Sequence, residues 1–455
     1  MTVVAPNTRI DVALPADVAV ADLLPMLLEM AKETSPDGGA RHGGWALAKL
    51  GDAPLDPSRT LASLGVVDGE LLQLRKRNEN PPPPLYDDVV DAIAESTPDS
   101  FRPWTKETAR RFGHVAGGLA LFISALALFM SGSLYGGSSL GAAIAGGLGA
   151  IACVAIGATL AKAYQAEATG VLIAAAGGLP LAFVSGFYIV PGLSVRANLL
   201  LGAVLVLIVS AVCILIIGAG IRVFIAAATA GAFGAIAFLV ATLVPGATTA
   251  GVGAGAVAVS LACISILPRA TIWLAKLPLP HVPSTAEELK EDSGFPDYQA
   301  IEQRTAIAHD YMTGLMIGCG ATTAVSAVIA ATAPGYFGVI LGVIATLVLL
   351  LRARAYANGA QAIALLTTGM VSAAGILVGW LFATTAEFRL LYVFGALIVV
   401  AAGSLVVGVI FPNQRFSPPL RRTVEILEAI CIAVVLPLAL GVMDLYTTLR
   451  HLNLK

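Results

Sequence analysis

Between about Phe112 and Leu445 the chain carries eleven apolar runs of bilayer-spanning length, parted by short polar breaks. At about 1.5 Å of rise per helical residue, roughly 20 apolar residues cross a hydrocarbon core about 30 Å thick, so each run is expected to be a membrane helix. The expected spans cover roughly 113–132, 138–161, 168–190, 197–218, 221–244, 248–267, 309–331, 335–352, 360–384, 388–411 and 422–446. With 57% hydrophobic and 12% charged residues, the composition is that of a mostly α, polytopic membrane protein. A net charge of −2 gives no reason to expect nucleic acid as a partner; the basic residues sit in short clusters at helix ends and set topology instead.

If the N-terminus is cytoplasmic, the loops on that side hold eleven Lys and Arg residues beyond the twelve of the N-terminal region, against four on the other side. That excess satisfies the positive-inside rule, and an odd number of spans then puts the C-terminus across the membrane. No run of adequate length precedes residue 112, so no signal peptide is expected. The long loop, 268–308, falls on the cytoplasmic side. It carries a capping-box pair, Thr285 and Glu288, and a polar helix expected from about Pro296 into the seventh span. It also divides the spans six and five, yet the halves share no convincing repeat.

Ahead of the spans the hydrophobic period changes. Residues 8–14 alternate Ile10, Val12 and Leu14 with polar neighbours, as a half-buried strand does, and Thr2–Ala5 reads as a shorter strand clipped at Met1. Asp17 or Asp22 is placed to cap a helix reaching about Glu33, with Leu23, Leu24, Leu27, Leu28 and Ala31 on one face and Pro25 tolerable only in its first turn. Trp45–Leu50 and Glu70–Leu74 supply two more strands. Two strands, a helix and two strands within residues 1–80 are the order of a β-grasp domain. The stretch 51–66, with Pro54-Leu55-Asp56 and Arg59-Thr60-Leu61, followed by Asp68-Gly69-Glu70 and the last strand, resembles the matching part of ubiquitin. The chain continues through Arg75-Lys76-Arg77 without a terminal Gly-Gly, so a docking module is expected and conjugation chemistry is not; a generic small α+β domain is the alternative.

Residues 81–111 read as a linker. Four prolines at 81–84 favour a semi-rigid polyproline spacer, and an amphipathic helix over 86–94 follows. Trp104, beside Arg110 and Arg111, has the character of an interfacial anchor, as do Arg421 and Arg422 before the last span; a solvated linker helix is the other reading of the Trp104 segment. The membrane domain then occupies 112–455.

The spans hold few ionisable groups. A charge at mid-bilayer costs on the order of 2.5 to 3.5 kcal/mol on insertion scales, and pumps keep such groups because they carry ions. Here His114, Glu167, Asp310, Glu425, Glu428 and Asp444 all lie within a turn or two of a span end. Glu425 and Glu428, one turn apart, suit either a buried polar role or a local interfacial ion pair. Small residues recur instead: Gly141, Ala145, Gly149, Cys153 and Gly157 at i+4 spacing in the second span, Gly231 in the fifth, and Gly251 and Gly255 in the sixth. Such stripes let helices pack closely, within one chain or between subunits. The bulky stretches 204–217 and 343–351 are expected to face lipid tails. The five cysteines fall inside spans and read as packing residues, with no metal spacing among them. No P-loop, HExxH, nucleophile elbow or dinucleotide fingerprint is present, so neither catalysis nor a cofactor is expected.

In its order of domains, its Val3–Asp11 start and its Arg59-Thr60-Leu61 turn, the chain resembles EccD, the most hydrophobic core component of type VII (ESX) secretion systems of actinobacteria. That resemblance implies a place in the bacterial inner membrane among lipids, with EccB, the EccC ATPase, EccE and a second EccD copy as partners. It also implies that the ubiquitin-like domain docks cytoplasmic parts of EccC and EccE. The competing functions are a secondary transporter with an accessory regulatory domain and, less favoured, a membrane receptor. A transporter would show discontinuous spans with polar groups at the midplane.

Overall fold

The computed structural model describes residues 1–6, 8–31, 44–49, 53–67, 69–76, 104–277, 298–410 and 418–446. They form two compact units, Met1–Trp104 and Thr105–Lys455. The proline run, the helix expected at 86–94 and the capping-box pair Thr285 and Glu288 lie outside the described residues.

The first unit holds β1 (Thr2–Val4), β2 (Arg9–Asp11), α1 (Val20–Ala31), β3 (Trp45–Lys49) and β4 (Leu71–Lys76). The sheet order is β2-β1-β4-β3, with β1 parallel to β4 and the outer pairs antiparallel. Alternation puts Val3, Leu47, Leu72 and Leu74 on the inner face, where Leu23, Leu27 and Leu61 close the core. This is the β-grasp arrangement. The short β1 lies inside the sheet, its register continued by the Met1 ammonium donating to the Val12 carbonyl at 3.0 Å.

The start of α1 differs from expectation. Neither Asp17 nor Asp22 is needed as its cap: the N–H groups of Val20 and Ala21 donate to the carbonyls of Arg59 and Pro57, at 3.1 and 2.9 Å. The Pro54–Leu61 turn therefore satisfies helix-end donors that a side chain would otherwise serve. Pro25 stands beyond the first turn, as the sixth residue of α1, on the exposed face where water reaches the carbonyl it leaves unpaired.

Among its described residues the second unit contains eleven helices long and apolar enough to cross a membrane, the expected number. They are α2 (Lys106–Met130), α3 (Ser139–Lys162), α4 (Glu167–Tyr188), α5 (Val195–Ile217), α6 (Ile221–Leu243) and α7 (Thr249–Leu274). After the loop come α8 (Tyr298–Ala330), α9 (Phe337–Arg352), α10 (Gly359–Ala383), α11 (Ala386–Leu405) and α12 (Pro418–Val442). Thr105, Ser138, Ser194, Thr248 and Asn358 cap α2, α3, α5, α7 and α10 with their side chains. Helix α7 continues through Pro268, the expected start of the loop, for six further residues. In α4 the backbone widens to a π turn over Ile173–Gly178, where two glycines precede Pro180 and the Leu179 N–H reaches back five residues to Ala174. The proline's missing donor and the glycines' freedom account for it.

Helix α8 is the hub, packed by α6, α7, α9 and α10. Its Met316, Cys319 and Ala327 join Val257, Ile264, Leu341, Ala345, Val348 and Leu349 in the largest core cluster. The stretch 343–351 is thus mostly interior, not lipid-facing: Val343 is exposed while Ala345, Val348 and Leu349 are buried. Stretch 204–217 is mixed, with Ser210, Cys213 and Ile217 buried and Ile208 and Leu215 exposed. Hydropathy could not separate these cases, because a helix surrounded by helices is as apolar as one surrounded by lipid.

Candidate functional site

Three features of this chain have the make-up of sites for assembly: close helix crossings, charged clusters at helix ends, and the surface of the β-grasp unit.

Helix α3 crosses α4 closely. A Cβ placed at Gly157 would lie 2.6 Å from the Gly170 carbonyl, and one at Gly146 would lie 2.9 Å from the Leu181 carbonyl. Gly149 faces the Leu181 side chain at 3.0 Å. Gly141 and Ala145 are exposed, and a Cβ at Gly141 would meet only Ser138 of its own N-cap. The reason is rotation: at 100° per residue, an i+4 step advances 40°, so a strict i+4 row drifts round the helix. The packed row is instead Ala142, Ala143, Gly146, Ala150, Cys153, Val154, Gly157 and Ala161, which mixes three- and four-residue steps.

Gly231 of α6 lies against the α5 backbone, its Cβ direction 3.0 Å from the Ala203 carbonyl. Gly251 sits within its own N-cap turn and beside Met443, and Gly255 touches Met443 only at 3.8 Å. The close approach of α7 to α8 is made by Gly253, against the Ser326 carbonyl at 3.0 Å. Sequence reading missed Gly314 and Gly318, which admit Arg222, Ala226 and Thr229 of α6, and Gly320, which admits Thr368 of α10. The Gly-x3-Gly spacing of Gly314 and Gly318 was the available signal. Interhelical hydroxyl pairs were missed too: Ser260 with Thr323, and Thr346 with Ser372, each at 2.7 Å.

The charged groups gather at helix ends. Glu425 pairs with Arg421 at 3.2 Å, and both are exposed. Glu428 instead joins helices: its carboxylate lies 3.9 Å from Arg352 and 3.5 Å from Arg354, which follow the core of α9. Glu428 and Arg352 are only 15% and 17% exposed, and Arg352 also donates to Ser265 Oγ of α7 at 3.0 Å. Arg222 of α6 pairs with Asp310 of α8 at 2.8 Å, and His114 Nε2 lies 2.8 Å from Thr169 Oγ1 of α4. Arg110 and Arg111 share Glu107, Trp104 is 70% exposed, and Arg422 is exposed beside Arg421. Among the described residues, no group of three His, Cys, Asp or Glu side chains is placed to hold a metal. The groove of about 510 Å³ between helices is lined almost wholly by apolar residues such as Val154 and Val209, and that of about 550 Å³ by apolar residues such as Val240 and Val252 together with Thr248 and Asp444, both at helix ends.

On the β-grasp unit, Asp56 accepts from the Ser58 N–H and hydroxyl at 3.0 and 2.7 Å, which holds its carboxyl below the ordinary range. Glu70 accepts the Val67 N–H at 2.8 Å and pairs with Lys49 at 3.1 Å. Both contacts favour the carboxylate and lower its pKa, the Val67 bond most.

A β-grasp domain followed by an eleven-helix bundle, with its charges at the helix ends, defines a polytopic membrane protein with a ubiquitin-like N-terminal domain. Residues 109–452 match the EccD-like transmembrane domain, and residues 1–74 match the WXG100 protein secretion system (Wss) protein YukD. The chain belongs to the EccD family. It is 28% identical to the ESX-4 secretion system protein eccD4 of Mycobacterium tuberculosis strain H37Rv, covering 100% of this chain and 97% of that protein. Against ESX-3 secretion system protein EccD3 of the same strain it is 26% identical, over 94% and 93% of the two. Its fold matches protomer 1 of the ESX-3 core complex with a TM-score of 0.61 at 21% identity, covering 98% and 99% of the chains. It also matches a chain of the MycP5-free ESX-5 inner membrane complex, TM-score 0.56 at 19% identity, over 90% and 98%.

Proposed function

We propose that this chain is a non-catalytic membrane subunit of a type VII (ESX) secretion assembly, seated in the inner membrane with its β-grasp domain in the cytoplasm. The observation that carries this reading is the match to the EccD-like domain over residues 109–452, joined to a YukD-like domain at 1–74. The membrane helices supply a scaffold, held by glycine crossings and end-of-helix charge clusters. The domain at 1–80 docks cytoplasmic partners: by family resemblance, EccC, the ATPase, and EccE, with EccB and a second EccD copy alongside in the membrane. Residues 81–111 link that domain to the membrane helices, and Trp104, Arg110, Arg111, Arg421 and Arg422 anchor helix ends at the interface.

A secondary transporter is disfavoured by the apolar lining of the interhelical grooves and by the placement of charges at helix ends. Two measurements test the reading. In mild detergent the full chain should copurify with other subunits and lose cytoplasmic ones when residues 1–104 are deleted. The purified chain in liposomes should carry no solute with saturable kinetics, and such flux would overturn the scaffold role.

A further inference from the structure

The β-grasp unit turns almost all of its large apolar side chains inward. Among its described residues up to Lys76, only Met26, Met30 and Val67 are exposed ones, at 41%, 41% and 65%. Met26 and Met30 stand one turn apart on α1, exposed along the Leu23 edge of the buried stripe of Val20, Leu23, Leu27 and Ala31. At 100° per residue, Pro25, Glu29, Asp22, Met26 and Met30 share an arc of about 140°. Helix α1 contains no Lys or Arg, and among the described residues neither Asp22 nor Glu29 enters an ion pair. The outer face of the sheet has no comparable patch, because its central positions on β3 are Ala46 and Ala48, both buried.

We infer that the exposed face of α1 is the docking surface of this domain, and that it takes a protein segment presenting basic and apolar side chains together. The inference rests on the docking role proposed above and names the surface and the partner's chemistry. Unbranched methionines adapt to an apolar partner surface, and Asp22 and Glu29 select for Lys or Arg beside it. The same acidic face is repelled by anionic lipid headgroups, so a protein fits it and a membrane surface does not.

The test uses the full-length chain in cells and in mild detergent. A photo-reactive benzoylphenylalanine at position 26 or 30 should crosslink to a cytoplasmic segment of another subunit rich in Lys, Arg and apolar residues; the same probe at position 73, on the sheet, should not. Crosslinks to lipid, to an acidic segment, or with equal yield from position 73 would overturn the inference. The double variant Glu29→Lys, Met30→Ser changes only exposed positions and should lower the amount of retained cytoplasmic subunit about tenfold, while Met26→Leu, which keeps the apolar area, should retain it. If deletion of residues 1–104 releases the partner and the double variant does not, this surface is wrong and the docking role stands. If the deletion releases nothing, the docking role itself fails.

Discussion

Glu425 and Glu428 stand one turn apart on α12, yet only Glu428 ties that helix to its neighbours. Removing it leaves Arg352, wedged beside Ser265, without a counter-charge in a largely enclosed place. Glu428→Ala should therefore cost about 3 kcal/mol, the lower end for stripping one partner from a buried pair, whereas Glu425→Ala should cost less than about 1 kcal/mol. Thermal unfolding of the two variants in one detergent would compare them, and equal losses would contradict the assignment. In the β-grasp unit, Glu70 carries a testable pH dependence. Its pKa is lowered in the folded state from an ordinary value of 4.5 by the Val67 N–H and Lys49. The stabilisation it provides is thus complete above about 4.5 and fades as pH falls through the lower folded value. Urea unfolding of the domain between pH 7 and pH 3 should show this loss, and Glu70→Gln should flatten it.

At the scale of elements, the glycines of α3 separate into two groups. Gly157 has the Gly170 carbonyl directly before it, while Ala145 is exposed. Gly157→Leu should force α3 and α4 apart and destabilise the bundle by about 1 to 3 kcal/mol or more, and Ala145→Leu should be nearly silent, as read from melting in detergent. The same reasoning makes Gly318→Leu disruptive at the α8–α6 crossing, since Thr229 and the Ala226 carbonyl occupy the space. Most element boundaries were legible, because a twenty-residue apolar run and a Ser, Thr or Asn cap are local signals. The facing of each helix was not. A regular i+4 row looked like a packing stripe but winds off the contact face, and Gly314, Gly318 and Gly320 matter because α6 and α10 both press on α8.

At the scale of the whole molecule, the spans α2 and α11 bury little of their surface within the chain, each about 6% over its most apolar window, whereas α8 buries 61%. Helices left so open in a membrane have lipid or other subunits as neighbours, in keeping with a chain that works inside an assembly. Deleting residues 1–104 should leave the membrane part folded, since the two units have separate cores, while releasing cytoplasmic subunits. Size-exclusion chromatography in detergent with mass spectrometry of the retained chains would read both results, and aggregation of the truncated chain would contradict the independence of the cores.

Length and apolar content by themselves marked out eleven helices able to cross a membrane, and the alternating period ahead of them marked out a β-grasp domain. Those properties follow from bilayer thickness and backbone geometry, which act on contiguous residues. Only the tertiary structure decided that the Pro54–Leu61 turn caps α1, that Val348 and Leu349 face protein, and that Glu428 rather than Glu425 bridges helices. In each case the deciding partner lies far away in sequence, and nothing in the local pattern distinguishes a lipid tail, a neighbouring helix or water as what a side chain will meet.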